Sequence, residues 1–202
     1  MIICTGIGTT IMDAVKELRS EEQVFRIRKR SDEVYDFTDC PPDVRIILAG
    51  GYLAGKSDAE HTAESMDMTI TANYLEPIQI IDQALDELPA ARICVIGSQS
   101  AAAGSYDTQY AFAKARLHRF VMRRPGIHPQ QVVAVAPPII ADSGMTRRRH
   151  DYPRVLRERP HCMAIDVARV IVNLLWERPV VLNETTGCVV PIHPTVLPGV
   201  VA

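Results

Sequence analysis

Tyr110 and Lys114 are the pair of side chains in this 202-residue chain best suited by type and spacing to move a proton. Four residues apart on a helix, they fall on one face, about one turn from each other. An ammonium held beside a phenol favours the phenolate and lowers the tyrosine pKa from its reference of about 10. That makes a poor acid/base usable near neutral pH. Ser98 stands at the end of an apolar strand read over Arg92 to Ile96, from where it could hydrogen-bond a substrate oxygen at the same point. Val95 to His118 (VIGSQSAAAGSYDTQYAFAKARLH) therefore reads as a strand, a small-residue loop and a helix.

Ser98, Tyr110 and Lys114 match the motif of the short-chain dehydrogenase/reductase family, a serine followed about a dozen residues later by YxxxK. YxxxK alone also describes an exposed helical Tyr/Lys pair, and it is the strand, serine and loop ahead of it that carry the resemblance. The resemblance implies an NAD(P)-dependent oxidoreductase that interconverts a carbonyl and an alcohol. Tyr110 would be the proton donor/acceptor, Lys114 would also bind the nicotinamide ribose, and Ser98 would hold the substrate oxygen. Asn73-Tyr74-Leu75 fits the family's Nxx, whose asparagine binds a relay water leading to the lysine. The plain alternative for Asn73 is an ordinary helix-face residue.

These groups need a scaffold, and the first third of the chain supplies its nucleotide end. Ile2 to Cys4 reads as a strand, followed by glycines and an amphipathic helix with Ile11, Met12, Val15 and Leu18 on one side. That order aims backbone N–H groups and a positive helix end at a phosphate. Gly6-Ile7-Gly8-Thr9-Thr10-Ile11 resembles the second half of the family's glycine loop, about three residues shortened, and implies cofactor contacts at Thr5, Gly6, Ile7 and Gly8. Val24 to Ser31 reads as a strand with a basic end. In dinucleotide folds an arginine at that place accommodates a 2′-phosphate, so Arg28, Arg30 and Ser31 favour NADP over NAD. A charged edge strand that blocks aggregation is the competing reading.

Val34 to Phe37 resembles the family's "DV" strand end, which gives Asp36 and Phe37 to the adenine. Too few residues separate Ser31 from Val34 for a crossover helix, so the second and third strands form a reduced region with the usual helix missing. Val44 to Gly51 reads as a buried strand, and Ala49-Gly50 resembles the end of the family's NNAG, with Leu48 in place of asparagine. Gly50 to Ser57 (GGYLAGKS) also satisfies the P-loop pattern of nucleotide-triphosphate proteins. Against it, no apolar strand ends in an aspartate for magnesium, Ser57 to Met68 is strongly polar, and the Ser/Tyr/Lys set would be left without a role.

Ser65 to Leu88 reads as a long helix that Pro77 should kink, and Tyr106 to about Met122 as a second. The resemblance implies a homodimer or homotetramer paired through these two helices. Gln131 to Ala136 reads as a buried strand. Pro137 to Thr146 resembles the family's PG-plus-TxM segment, with Pro138 for the glycine; it implies nicotinamide contacts from Pro137, Ile140 and Ser143. The basic run Arg147 to Arg159 reads either as a lid for an anionic substrate or as a solvated loop. His161 to Trp176 reads as a helix, and Val180 to Leu182 with Cys188 to Ile192 as closing strand segments.

Composition is that of a single globular domain: 47% hydrophobic, 23% charged and a net charge of −2. No basic excess points to nucleic acid, and no apolar run is long enough to cross a membrane. The histidines show no ligand spacing, which indicates no metal site. Five cysteines without a CxxC pair, together with the lack of a basic n-region and long apolar stretch at the N-terminus, predict reduced thiols in a cytoplasmic protein. Alternating strands and helices predict one Rossmann-like, doubly wound, mostly parallel α/β domain over residues 1–202. The rival function to a small-molecule carbonyl/alcohol oxidoreductase is a non-catalytic dinucleotide sensor or scaffold.

Overall fold

A computed structural model describes residues 1–6, 8–29, 34–53, 60–123, 131–177 and 188–196. Six parallel strands form the central sheet: β1 (Ile2–Thr5), β2 (Val24–Arg26), β5 (Arg45–Leu48), β6 (Arg92–Ile96), β7 (Val132–Ala136) and β10 (Cys188–Pro191). Their order is β10-β7-β6-β5-β1-β2. The inner strands are buried on both faces, which is why their sequences read as continuous apolar runs (RIIL, RICVI, VVAVA) rather than alternating ones.

Strand alternation divides the core into two layers. On one face Ile2, Cys4, Ile47, Cys94 and Val135 pack under Ile11, Met12 and Val15 of α1 (Thr10–Leu18) and Val167, Ala168 and Ile171 of α8 (Ala164–Val172). On the other, Ile3, Ile46, Ile93, Val95 and Ala134 meet Ile80, Ile81 and Ala84 of α3 (Glu76–Glu87) and Leu117 and Val121 of α5 (Thr108–Arg123). Cys4, Cys94 and Cys162 are free thiols within this core. Cys40 is also free and is half-buried.

Two expected elements take different forms. The strand expected over Val24 to Ser31 breaks at Ile27, whose N–H makes a last bond to the Cys4 carbonyl. Beyond it, β3 (Arg28–Lys29) leaves the sheet and pairs antiparallel with β4 (Tyr35–Asp36). This ribbon takes the place of a third parallel strand, and β2 is left as the sheet edge. The helix read over Ser65 to Leu88 is continuous through Pro77 but changes its winding ahead of it. α2 (Ala63–Ile70) passes through a π-helical turn (Thr71–Leu75) into α3. Widening the helix just ahead of Pro77 accommodates a ring that would otherwise press on the Asn73 carbonyl, to which Pro77 has no N–H to offer.

A short helix, α4 (Ser100–Ala103), follows β6, and the loop after β7 carries β8 (Ile139–Ile140) and α6 (Gly144–Arg147). Then come α7 (Arg154–Glu158) and β9 (His161–Cys162), which pairs with β8. Arg30, Ser31, Ile7, half of the P-loop-like stretch (residues 54–57) and Val180 to Leu182 lie outside the described residues.

Candidate active site

The carboxyl ends of four neighbouring strands, β7, β6, β5 and β1, form one edge, and nearly all the expected site residues lie on it or on the helices above it. Chain order reverses between β1 and β5, the place where open α/β sheets bind ligands. There the two strand ends are locked together: the Gly50 N–H donates to Thr5 Oγ1 at 3.0 Å. A Cβ on Gly6 would stand 2.8 Å from the Gly50 nitrogen, and Gly6 has φ +71°, so only glycine lets the β1 loop pass this close to Ala49 and Gly50. Gly8 also has positive φ, and a Cβ there would meet nothing within 4 Å, which leaves open space beside the start of α1. Thr9 caps that helix by accepting from the Met12 N–H.

Tyr110, Lys114 and His118 follow one another at four-residue steps along α5 and face the end of β6. Lys114 is 3% exposed, and its Nζ donates to the Ile96 carbonyl at 2.7 Å. Burial without a countercharge pulls its ammonium down to about 7. The same Nζ lies 5.7 Å from the centre of the Tyr110 ring. Ser98 is near enough to the Tyr110 phenol to draw its pKa down, and its Oγ contacts Ser100 Oγ at 2.8 Å. The residues read from sequence as the Ser/Tyr/Lys set therefore converge.

Their electrostatics run opposite to expectation. Burial pushes the Tyr110 phenol up to about 12, with the Asp107 carboxylate adding to the rise and Ser98 and Arg149 pulling against it. Lys114 is not among the groups that lower the phenol, and burial works against the lysine's own charge. Spacing along a helix reveals the neighbour but not the solvation of either group.

Asn73 sits fully buried in the π-helical turn. Its Nδ2 donates to the carbonyls of Tyr52 and Thr69, while its Oδ1, beside Gly51, has no hydrogen-bond partner among the described residues. The remaining expected contacts are distributed along the edge. Arg28 is exposed on the ribbon, not at the tip of a sheet strand. Asp36 turns its Oδ1 back to the N–H and hydroxyl of Thr38. The Phe37 side chain is 2% exposed in the core beside Tyr35, so any contact it offers a ligand comes from its backbone. Pro137 follows β7 and is buried, Ile140 lies in β8, and Ser143 caps α6 by accepting from the Thr146 N–H.

Four further residues shape the site. Asp107 accepts from the Tyr110 N–H at 2.9 Å and so fixes the start of α5. His61, ahead of α2, approaches the same carboxylate at 3.1 Å, and both side chains are buried. Arg149 from the basic run is held by two bonds to Asp151 and stacks on Tyr106, 4.6 Å from its ring centre. His118 accepts from the Ser98 N–H at 3.2 Å. His118 leaves a trace in the sequence as the third member of the Tyr110/Lys114 series, and Arg149 as part of the basic run; His61 and Asp107 meet through tertiary packing.

Among the described residues no cluster of metal-ligating side chains occurs, and no helix is long and apolar enough to cross a membrane.

By sequence, no family model and no curated protein matches the chain. By fold, it is similar to a short-chain dehydrogenase family protein from Francisella tularensis, with 17% identity, 95% of this chain and 96% of that one covered, and a TM-score of 0.71. It is also similar to a dehydrogenase/reductase from Sinorhizobium meliloti (19% identity, 95% and 92% covered, TM-score 0.71). A 3-oxoacyl (acyl-carrier-protein) reductase from Agrobacterium tumefaciens with NADP bound gives 14% identity, 95% and 92% coverage and a TM-score of 0.73. The chain thus has, over nearly its whole length, the Rossmann-type fold of short-chain dehydrogenase/reductase structures.

Proposed function

We propose that the protein is an NADP-preferring oxidoreductase that interconverts a carbonyl and an alcohol on a small molecule. The observation that carries this reading is the meeting of Ser98, Tyr110 and Lys114 at the end of β6, beside the strand-end crevice where Gly6 and Gly50 touch. The residues present suit a dinucleotide. Gly8 leaves room at the start of α1, the Gly50 N–H to Thr5 Oγ1 bond holds the two strand ends together beside it, and the Ile96 carbonyl takes one of the three N–H donors of Lys114. When bound, a nicotinamide dinucleotide supplies the hydride accepted by the carbonyl carbon.

Ser98 would hold the carbonyl oxygen through its hydroxyl while Tyr110 donates its proton to that oxygen; the reverse direction takes the proton back. Lys114, whose ammonium burial pulls down to about 7, would gain charge as ligand hydroxyl groups accept from its remaining N–H donors, and would then favour the phenolate. Arg28 on the exposed ribbon, with Arg30 and Ser31 following it in the chain, motivates the preference for a 2′-phosphate. Arg149 and Tyr106 would border the substrate, and Asn73 would bind the relay water. A cytoplasmic homodimer or homotetramer, paired through α2–α3 and α5, completes the reading; exposed Met68, Leu75, Phe112 and Met122 on those helices support it.

The test is a fluorescence titration with NADPH and with NADH, followed by a screen of aldehydes and ketones. Tighter binding of NADPH and turnover on at least one carbonyl are expected. Binding without turnover on any carbonyl would favour a sensor, and binding of ATP in place of either dinucleotide would favour the P-loop reading.

A further inference from the structure

Ser98 is the first residue of its chain segment to leave the sheet. Gly97 still pairs like a strand residue, its N–H donating to the Val135 carbonyl at 2.8 Å, and Gln99 donates to the Pro137 carbonyl. The Ser98 N–H has no strand carbonyl opposite; it donates to His118 Nε2 at 3.2 Å. An imidazole accepts through Nε2 only when neutral and protonated at Nδ1. Its surroundings enforce neutrality: the ring is 9% exposed, and Lys114 stands one turn before it on the same helix.

Space for the ring comes from Gly97. A Cβ at that position would lie 2.1 Å from His118 Nε2 and 2.9 Å from Cδ2, inside the imidazole. Gly97 does not have positive φ, so the demand for glycine here is one of room and not of backbone conformation. A helix carrying Tyr110, Lys114 and His118 in line thus docks its third member into a notch in the strand that carries Ser98. One contact fixes the distance between the serine and the two residues it must meet.

We propose that His118 is a positioning residue that holds Ser98 in register with Tyr110 by accepting its backbone N–H, and that Gly97 exists to admit it. The consequence for turnover rests on the oxidoreductase reading; the hydrogen bond does not. The test compares His118→Gln, whose amide oxygen can reach the Nε2 position, with His118→Leu, which fills space and accepts nothing. Gly97→Ala, which evicts the ring while leaving it in the chain, provides a third variant should the leucine variant fail to fold.

Hydrogen exchange at the Ser98 amide, followed by NMR, should speed up about tenfold or more in His118→Leu and Gly97→Ala and return toward wild type in His118→Gln. With NADPH and 4-nitrobenzaldehyde as probe, kcat should fall about tenfold or more in the first two and recover in the glutamine variant, while KM for NADPH stays within about twofold. In the wild type, His118 should show the Nδ1-protonated neutral tautomer. Unchanged Ser98 exchange in the leucine and alanine variants overturns the proposal. So does faster exchange with undiminished kcat. A wild-type protein that reduces no carbonyl defeats the oxidoreductase reading by itself, and the exchange rates still decide the hydrogen bond.

Discussion

Lys114→Met exchanges an ammonium-bearing chain for an apolar one of similar length at a position 3% exposed. The lysine falls from its ordinary 10.5 to about 7 through burial. A depressed pKa in the folded state means that the unfolded chain binds the proton more tightly. The wild type is therefore penalised fully below pH 7, and the penalty fades as pH rises toward 10.5. At pH 7 the difference corresponds to about 4 kcal/mol. Removing the amine also strips the Ile96 carbonyl of its 2.7 Å donor, a loss of about 1–3 kcal/mol. On balance Lys114→Met should stabilise the cofactor-free protein by about 2 kcal/mol at pH 7, or about 4–8 °C in Tm. Urea unfolding at about pH 7 and about pH 10 measures it: the wild type should gain stability over that interval and the variant should not. A variant less stable than wild type at pH 7, with a gap that does not move with pH, would refute the argument that the ammonium is held at a cost.

Other outcomes follow from the same geometry. Gly6→Ala should lose about 2 kcal/mol or more of unfolding free energy in urea, since its Cβ meets backbone at 2.8 Å and φ is +71°. His118, depressed from 6.5 to about 4, is bound by protons first in the unfolded chain. Wild-type stability should accordingly drop by about 3 kcal/mol as pH falls from 6.5 through 4, a drop that His118→Gln lacks. Asp107→Asn keeps an acceptor for the Tyr110 N–H but removes the charge that helps hold the phenol up. Alcohol oxidation by this variant should rise at lower pH than in the wild type, read from the pH profile of kcat/KM.

Much of this architecture is legible in the order of residues because the parallel sheet imposes apolar runs that polar edges cannot imitate. VVAVA and RICVI are short and rich in β-branched residues and so read as buried strands, and a serine, tyrosine and lysine spaced as Ser98, Tyr110 and Lys114 are then carried to one edge by strand-to-helix geometry. The short interval from Ser31 to Val34 likewise announces the missing crossover helix. What stays hidden depends on contacts between distant residues. That β3 peels away after Ile27 is decided by its partner β4, not by the alternation of Arg26, Arg28 and Arg30. The π-helical turn before Pro77 is one of two ways a helix can absorb a proline, and sequence does not choose between them. The acidity of Tyr110 depends on how much water its hydroxyl loses, a property of the folded surface alone. His61 and Asp107 stand 46 positions apart and meet only because α2 packs against the start of α5.

At the centre is the claim that the Tyr110 hydroxyl exchanges the proton in a dinucleotide-dependent carbonyl/alcohol reaction. Steady-state turnover of Tyr110→Phe at saturating NADPH, on whichever carbonyl the wild type reduces, tests it most directly. The account predicts a fall of about a thousandfold in kcat with NADPH affinity within about threefold of wild type. Turnover equal to wild type in the phenylalanine variant would contradict it.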